Sequence, residues 1–255
     1  MESNRPRTEQ VELRKIKRQN YTLKESLRAL RTNLQFCGDD VKVILVTSAV
    51  PNEGKSTVVM DLARSLTDAK KQVLVIDADL RKSVLVGRLG VRTASGASLY
   101  GLSHYLSGQK QIGDVVYATN IPRLYLVFSG PSVPNPTEIL EKGYFDELIN
   151  FGRKYFDYIL IDAPPLGATI DAAVLARCCD GAIFVTAQGM ANSHVIANAK
   201  KQLELSGVRI LGAVLNKVDM RRNHYYGKYY GRYYGSYYGQ YGRYGKETDG
   251  KKNTD

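Results

Sequence analysis

Apolar residues fall along this chain in short blocks of two kinds. VKVILVTSA (41–49), QVLVIDAD (72–79), RLYLVFSG (123–130), FDYILIDAPP (156–165), DGAIFVTA (180–187) and VRILGAVLNK (208–217) are near-continuous apolar runs. Runs of this length without polar alternation read as strands buried on both faces. Between them the apolar positions space out by three and four. Leu23, Leu27, Leu30 and Leu34 mark a helix ending near Phe36, and KSTVVMDLARSLTDA (55–69) a second. PTEILEKGYFDELINFGRK (136–154) reads as a third, opened by Pro136 and Thr137, and residues 192–206 as a fourth. This alternation predicts an α/β fold, a parallel sheet with helices on both faces. Residues 80–122 read as loop-rich with one short helix near SLYGLSHYL (98–106). Residues 1–20 are polar and charge-rich and read as an extended or frayed arm; after Met220 the apolar periodicity stops. The expected organisation is an arm (1–20), one domain (21–220) and a tail (221–255).

Composition refines this picture at the ends. With 44% apolar residues over 255 positions, the chain can bury a sizeable core. The formal charge of +11 is carried mostly by the termini: residues 1–20 hold six Lys/Arg against three acids, and residues 221–255 hold eight against three. The basic excess therefore speaks to what the tails touch. Three cysteines, Cys37, Cys178 and Cys179, form neither a disulfide framework nor a metal spacing, and read as buried thiols of a reducing compartment. The charged N-terminus has no signal-peptide pattern, and no run approaches the roughly 18 apolar residues of a spanning helix. A cytoplasmic protein is expected, with any membrane contact peripheral or through a partner.

The strongest chemical signal is SAVPNEGKST (48–57), between a buried strand and a helix. Backbone N–H groups and a helix N-terminus in that context face an anion. Asn52, Glu53, Gly54, Lys55, Ser56 and Thr57 form the candidate phosphate loop. Lys55 would reach the β- and γ-phosphates and Ser56 would offer its hydroxyl to Mg²⁺. Ala49 stands where such loops usually have their first glycine. Asn52 replaces another, a tolerable change because Asn enters the left-handed region readily. Two further strands end in acid: VLVIDAD in Asp77 and Asp79, YILIDAP in Asp162. At the carboxyl edge of a parallel sheet these would converge on the loop, as Mg²⁺ and nucleotide require.

PNEGKST, VLVIDADLRKS and YILIDAPP together resemble the Walker A, A′ and B elements of the bacterial tyrosine kinases, and the resemblance spans roughly residues 21–245. KESLRALRTNLQF (24–36) holds Glu25, Arg28 and Arg31 in that family's E-x-x-R-x-x-R spacing; GLSHYLSG (101–108) and PNPTEIL (134–140) also look like family segments. The nearest likeness is to the stand-alone kinases of Gram-positive capsule and exopolysaccharide systems. The resemblance implies a P-loop NTPase-like fold and an ATP- and Mg²⁺-dependent protein-tyrosine kinase. It implies a homo-oligomeric ring, docked through the helix at 21–36 by Glu25, Arg28 and Arg31, which would otherwise read as a solvated stripe with local ion pairs. It further implies a separate transmembrane activator with a cytoplasmic tail, which would recruit the kinase to the inner face of the membrane, and a cognate phosphotyrosine phosphatase. Lys55, Asp77, Asp79 and Asp162 become the catalytic set. Ser56, Asp77 and Asp162 would support the metal, and Asp77 and Asp79 would share that task with proton acceptance from tyrosine. VLNKVD (214–219) matches the N-K-x-D string that reads guanine in GTPases; against GTP, the resemblance favours ATP with Asn216 on the base side.

Ten of the eighteen tyrosines, Tyr225, Tyr226, Tyr229, Tyr230, Tyr233, Tyr234, Tyr237, Tyr238, Tyr241 and Tyr244, lie in a Gly-rich tail with no aliphatic residue after Met220. Such a segment reads as disordered. A flexible tail of this length has a span on the order of 30 Å and reaches about 100 Å when stretched, enough to enter a neighbouring active site. The resemblance makes it the autophosphorylation cluster. Each phosphate adds about −1.5 to −2 charges, which would turn a cationic tail anionic. The other eight, Tyr21, Tyr100, Tyr105, Tyr117, Tyr125, Tyr144, Tyr155 and Tyr158, read as structural. The competing readings are a partitioning or division-type ATPase switch of the same fold, and a nucleotide-regulated scaffold whose tail binds RNA or protein. No nucleic acid is expected for the kinase.

Overall fold

The computed structural model describes residues 9–219, and its first structural unit ends at Asn216. Among the described residues nine strands form one sheet: β1 Gln10–Leu13, β2 Val43–Ser48, β3 Val73–Asp77, β4 Val91–Thr93, β5 Val116–Thr119, β6 Leu124–Val127, β7 Tyr158–Asp162, β8 Gly181–Ala187 and β9 Ile210–Asn216. Their order is β4-β1-β5-β6-β3-β7-β2-β8-β9. From β6 to β9 every neighbouring pair is parallel, which is the expected sheet. The other three strands extend it, with antiparallel pairings of β5 on β6 and β4 on β1.

Strand alternation divides the core in two. Val43 and Leu45 of β2, Leu74 and Ile76 of β3, and Ile159 and Ile161 of β7 pack on one face, against α7 (Tyr144–Tyr155), α8 (Asp171–Ala176) and α9 (Ser193–Leu205). Ile44 and Val46, Val73 and Val75, and Leu160 point the other way, toward α2 (Lys55–Asp68). α1 (Tyr21–Gln35) lies on α2 and buries only Leu27 and Leu34. A side chain buried on either face has left water, so the central strands need no polar alternation.

Three readings of the pattern change. The arm is not wholly frayed: Val11 and Leu13 are buried as β1 lies between β4 and β5, and Asn120 accepts the Leu13 N–H at 3.0 Å. Two apolar positions are too short a signal to read as a strand. The helix at 136–154 is two, α6 (Pro136–Leu140) and α7, because Gly143 stands between them at φ 85°, a left-handed conformation that ends helical hydrogen bonding. The loop-rich stretch contains α3 (Leu85–Leu89), β4, α4 (Leu102–Leu106), α5 (Ile112–Val115) and β5, all five residues or shorter. The three cysteines are half-buried rather than buried. The tyrosine cluster lies outside the described residues.

Candidate active site

The site gathers where β3, β7 and β2, adjacent at the centre of the sheet, reach their carboxyl ends. The loop after β2 is shaped by two left-handed residues, Asn52 at φ 65° and Gly54 at φ 94°. Glycine is required at the second: a Cβ there would stand 2.2 Å from Asn216 Nδ2. Asn216, at the end of β9, donates that amide to the Glu53 carbonyl at 2.8 Å. Glu53 is fully buried. Its carboxylate accepts the Val50 N–H at 2.9 Å, and the Thr186 hydroxyl and Ala187 N–H at 3.1 Å each. Glu53 therefore holds the loop to β8, while Lys55, Ser56 and Thr57 open α2. Ala49, at the position of the missing glycine, is buried, and its carbonyl accepts the Gly167 N–H at 3.0 Å.

The acids meet there. Asp77 and Asp162 are register partners on neighbouring parallel strands, and both are buried. Strands lie about 4.8 Å apart, so two carboxyl groups share one small volume. Burial, followed by the Asp162 charge, pushes the Asp77 carboxyl up to about 7. Burial raises Asp162 to about 6, against a hydrogen bond from Ser56 and the charge of Lys55. Burial lowers the Lys55 ammonium, opposed by Asp162, Asp79 and Glu53. Asp79 is half-buried and its carboxylate accepts the Lys82 N–H at 2.9 Å, shaping the turn after β3.

Three participants were given no role by the motifs, Ser83 although it closes VLVIDADLRKS, and Arg88 and Asp171, which lie outside every motif. Ser83 donates its hydroxyl to Asp77. Arg88 of α3 reaches Thr57 Oγ1 at 3.1 Å, and its charge acts on Lys55 and Asp162. Asp171 grips Arg81 through two hydrogen bonds of 2.6 and 3.1 Å and accepts the Thr137 hydroxyl at 2.8 Å. Asp171, on α8, thus ties the turn after β3 through Arg81 to α6 through Thr137. Ser83 lies six residues past Asp77 in the same motif and turns back on it, whereas Arg88, eleven residues past, is returned only by the fold.

Glu25 and Arg28 pair with each other at 2.5 Å on α1, and Arg31 donates to the Ser65 carbonyl of α2 at 2.5 Å. The stripe is thus satisfied within one chain, with the Arg28 side chain 60% exposed.

Among the described residues no cluster of three or more His, Cys, Asp or Glu side chains could hold a metal alone. Two buried carboxyl groups beside a serine hydroxyl instead suit an ion that keeps water and phosphate oxygens among its ligands, as Mg²⁺ does. An anion cradle at a helix N-terminus with a lysine supplies the phosphate half of that site.

A fold and site of this kind define a nucleotide-dependent phosphate-loop protein, and comparison with known proteins places it more closely. A family model described as an AAA domain matches residues 41–225. The tyrosine-protein kinase CpsD of Streptococcus agalactiae serotype III (strain NEM316) is 45% identical over 202 residues, 79% of this chain and 85% of that protein. The kinase domain of the Escherichia coli tyrosine kinase ETK superposes with a TM-score of 0.71 at 31% identity, covering 76% of this chain and 75% of that one. The septum site-determining protein MinD of Pyrococcus horikoshii, complexed with Mg-ADP, superposes at 0.59 with 25% identity, covering 70% and 71%. The chain belongs to the bacterial tyrosine kinase family, protein-tyrosine kinases built on a phosphate-loop fold. No described helix is long and apolar enough to cross a membrane.

Proposed function

We propose that this protein is an ATP-dependent tyrosine kinase that phosphorylates its own C-terminal tyrosine cluster in trans within a homo-oligomeric ring. The observation that carries the reading is the pair of buried acids, Asp77 and Asp162, beside Lys55 at the phosphate loop. Bound Mg-ATP supplies the transferable phosphoryl group and a divalent charge. The protein's part is positioning and charge neutralisation, which is most of what phosphoryl transfer needs. Lys55 is desolvated and faces acids, so it is set to neutralise phosphate. Ser56 and Asp162 form the metal side. Asp77, raised toward neutrality, shares metal support with proton acceptance from the tyrosine hydroxyl, and Asp79 serves beside it. Asn52, Glu53, Gly54 and Thr57 complete the loop, Glu53 by bracing it, and Asn216 lies on the base side.

The partners follow from the same reading. Glu25, Arg28 and Arg31 dock α1 on a neighbouring copy, the half-exposed pair of Glu25 and Arg28 being the part free to exchange partners. A transmembrane activator recruits the kinase to the inner membrane face, a phosphatase resets the tail, and the output is control of capsular or extracellular polysaccharide synthesis; family resemblance supports these three. Accumulated tail phosphate, on residues 225–244, would drive a ring apart by repulsion. The expected kinase limits of 21–220 are widened at the start to take in β1, Gln10–Leu13, which pairs within the same sheet, and residues 221–255 remain the proposed tail.

The test is mass-spectrometric mapping of phosphate after incubation with Mg-ATP or Mg-GTP, with and without the cytoplasmic tail of a candidate activator, beside Lys55→Met. Phosphate on residues 225–244 that requires ATP and Lys55 is the expected result. The likeness to MinD supports a second reading, an ATPase switch. Nucleotide hydrolysis with no phosphotyrosine, activator present, would favour it.

A further inference from the structure

The seven other tyrosines among the described residues are packed. Tyr100, Tyr105, Tyr117, Tyr125, Tyr144 and Tyr155 each meet another ring, and Tyr158 packs on the core. Tyr21 differs. It is the first residue of α1 and is 77% exposed, against 40% for Tyr155 and 38% for Tyr144, and no ring stacks on it among the described residues. That exposure does not fit the reading of Tyr21 as structural.

The surroundings of Tyr21 match those of the tail. Residues 14–24 hold five Lys/Arg and no acid, as residues 225–244 hold three and none. The proposed transfer site sets Asp77, Asp79 and Asp162 against Lys55 and Arg88, and a bound nucleoside triphosphate adds further negative charge, so it favours cationic segments over acidic ones. Tyr144 and Tyr155 each have an aspartate two residues on, Asp146 and Asp157. Residues 14–20 have no regular secondary structure, so the chain leading to Tyr21 can be drawn out with only modest loss. The bonds that hold the segment are Lys15 N–H to the Leu89 carbonyl at 2.9 Å, Gln19 to Asp61 at 2.7 Å, Arg64 to the Lys17 carbonyl at 3.0 Å, Lys24 N–H to the Asn20 carbonyl at 3.1 Å, and the Asn20 cap on Leu23.

We infer that Tyr21 is an internal phosphoryl acceptor of this kinase, an inference that rests on the kinase reading. The bond between the γ-phosphorus and ADP breaks, its electron pair leaving on ADP. The Tyr21 phenol oxygen bonds to phosphorus, and its proton passes to a strand-end carboxylate or water. The product carries about two negative charges on the first turn of α1. Residues three and four apart share a helix face, so the phosphate stands beside Lys24 and Glu25, within the stripe proposed for ring contact.

Trypsin isolates Tyr21 cleanly, because residues 19–24 (QNYTLK) form a peptide with one tyrosine. The full-length chain is incubated with Mg-ATP, as wild type, as Lys55→Met, and with all ten tail tyrosines changed to Phe, alone or combined with Tyr21→Phe. The inference expects phosphate on residues 19–24 that grows with time and is lost in Lys55→Met. It also expects residual phosphotyrosine in the tail variant, lost when Tyr21→Phe is added. Tyr21 is exposed and its ring unstacked, so that change does not threaten folding. Phosphate on the tail with an unmodified 19–24 peptide would overturn this inference and leave the kinase reading standing. Phosphate on 19–24 in Lys55→Met would assign it to another enzyme and overturn the inference. No phosphotyrosine anywhere would overturn both.

Discussion

At the amino ends of the strands, Asp180 is bound by Arg153 at 2.6 and 3.0 Å and by the Lys42 and Val43 N–H groups at 2.9 and 2.7 Å. Burial would raise its carboxyl, but Arg153 and the backbone bonds outweigh burial and hold it below its ordinary value. At the carboxyl ends, Asp77 and Asp162 are more deeply buried, lie side by side, and are raised to about 7 and 6. One end of the sheet saturates its acid with donors; the other leaves two acids short of cation. An unneutralised buried carboxylate costs stability, and a fold keeps it where a ligand supplies the missing charge. Asp171 shows that the region of the site is not simply poor in donors: Arg81, Thr137 and Thr169 together hold it below its ordinary value despite burial. The deficit is local to the ends of β3 and β7, on one side of the phosphate loop.

The largest effect should come from breaking the carboxyl-end pair. Asp162→Asn should lower tail phosphorylation by about 10³-fold, since removing one preorganised charge from a transfer site costs on that scale, while circular dichroism shows the fold intact. Breaking the amino-end pair should do the reverse. Asp180→Ala leaves Arg153 and two backbone N–H groups without their acceptor, and urea titration should show a loss of about 1–3 kcal/mol. Phosphotransfer per folded molecule should hardly change.

The pH dependence sharpens the contrast. A carboxyl raised by folding binds its proton more tightly in the native state, so the ligand-free protein should lose stability as pH rises from about 4 to about 7 on account of Asp77 and Asp162. Asp180 and Asp171 have the opposite sign: their stabilisation is present above the unfolded value of about 3.9 and is lost as pH falls through their lower folded values. Melting curves across this range should therefore show a downward slope near neutrality that flattens in Asp77→Asn. The smallest effect belongs to the exposed pair on α1. Arg28→Ala should change monomer stability by less than about 0.5 kcal/mol, as exposed ion pairs do. Sedimentation should nonetheless show weakened assembly if α1 forms the ring contact.

Much of this comparison could be read from the chain. The buried strands announced themselves because both faces are covered, and Asp77 and Asp162 directly follow such runs, so neither needed coordinates to be paired with Lys55 as a candidate. The left-handed Asn52 was legible from the chemistry of the residue itself. What escaped has a common cause. β1, β4 and β5 are three or four residues long and gain their stability from neighbours far along the chain, so periodicity carries no mark of them. Ser83, Arg88 and the Asp171–Arg81 grip are likewise contacts made by folding rather than by spacing. Glu53 was found as a loop residue, but its role as a brace to β8 depends on Thr186 and Ala187, more than a hundred residues on. Nothing in the spacing of Tyr21 sets it apart from the other seven tyrosines outside the tail, and only its exposure does.

The central claim is that the carboxyl-end acids are held at a cost that Mg-ATP offsets. Thermal melting of the full chain and of Asp77→Asn at pH 7.5, each with and without Mg-ATP, tests it directly. The account predicts that the variant melts higher than wild type without ligand and that wild type, gaining more from Mg-ATP, closes or reverses the difference. A variant that melts lower without ligand, or that gains as much from Mg-ATP as wild type, would contradict it.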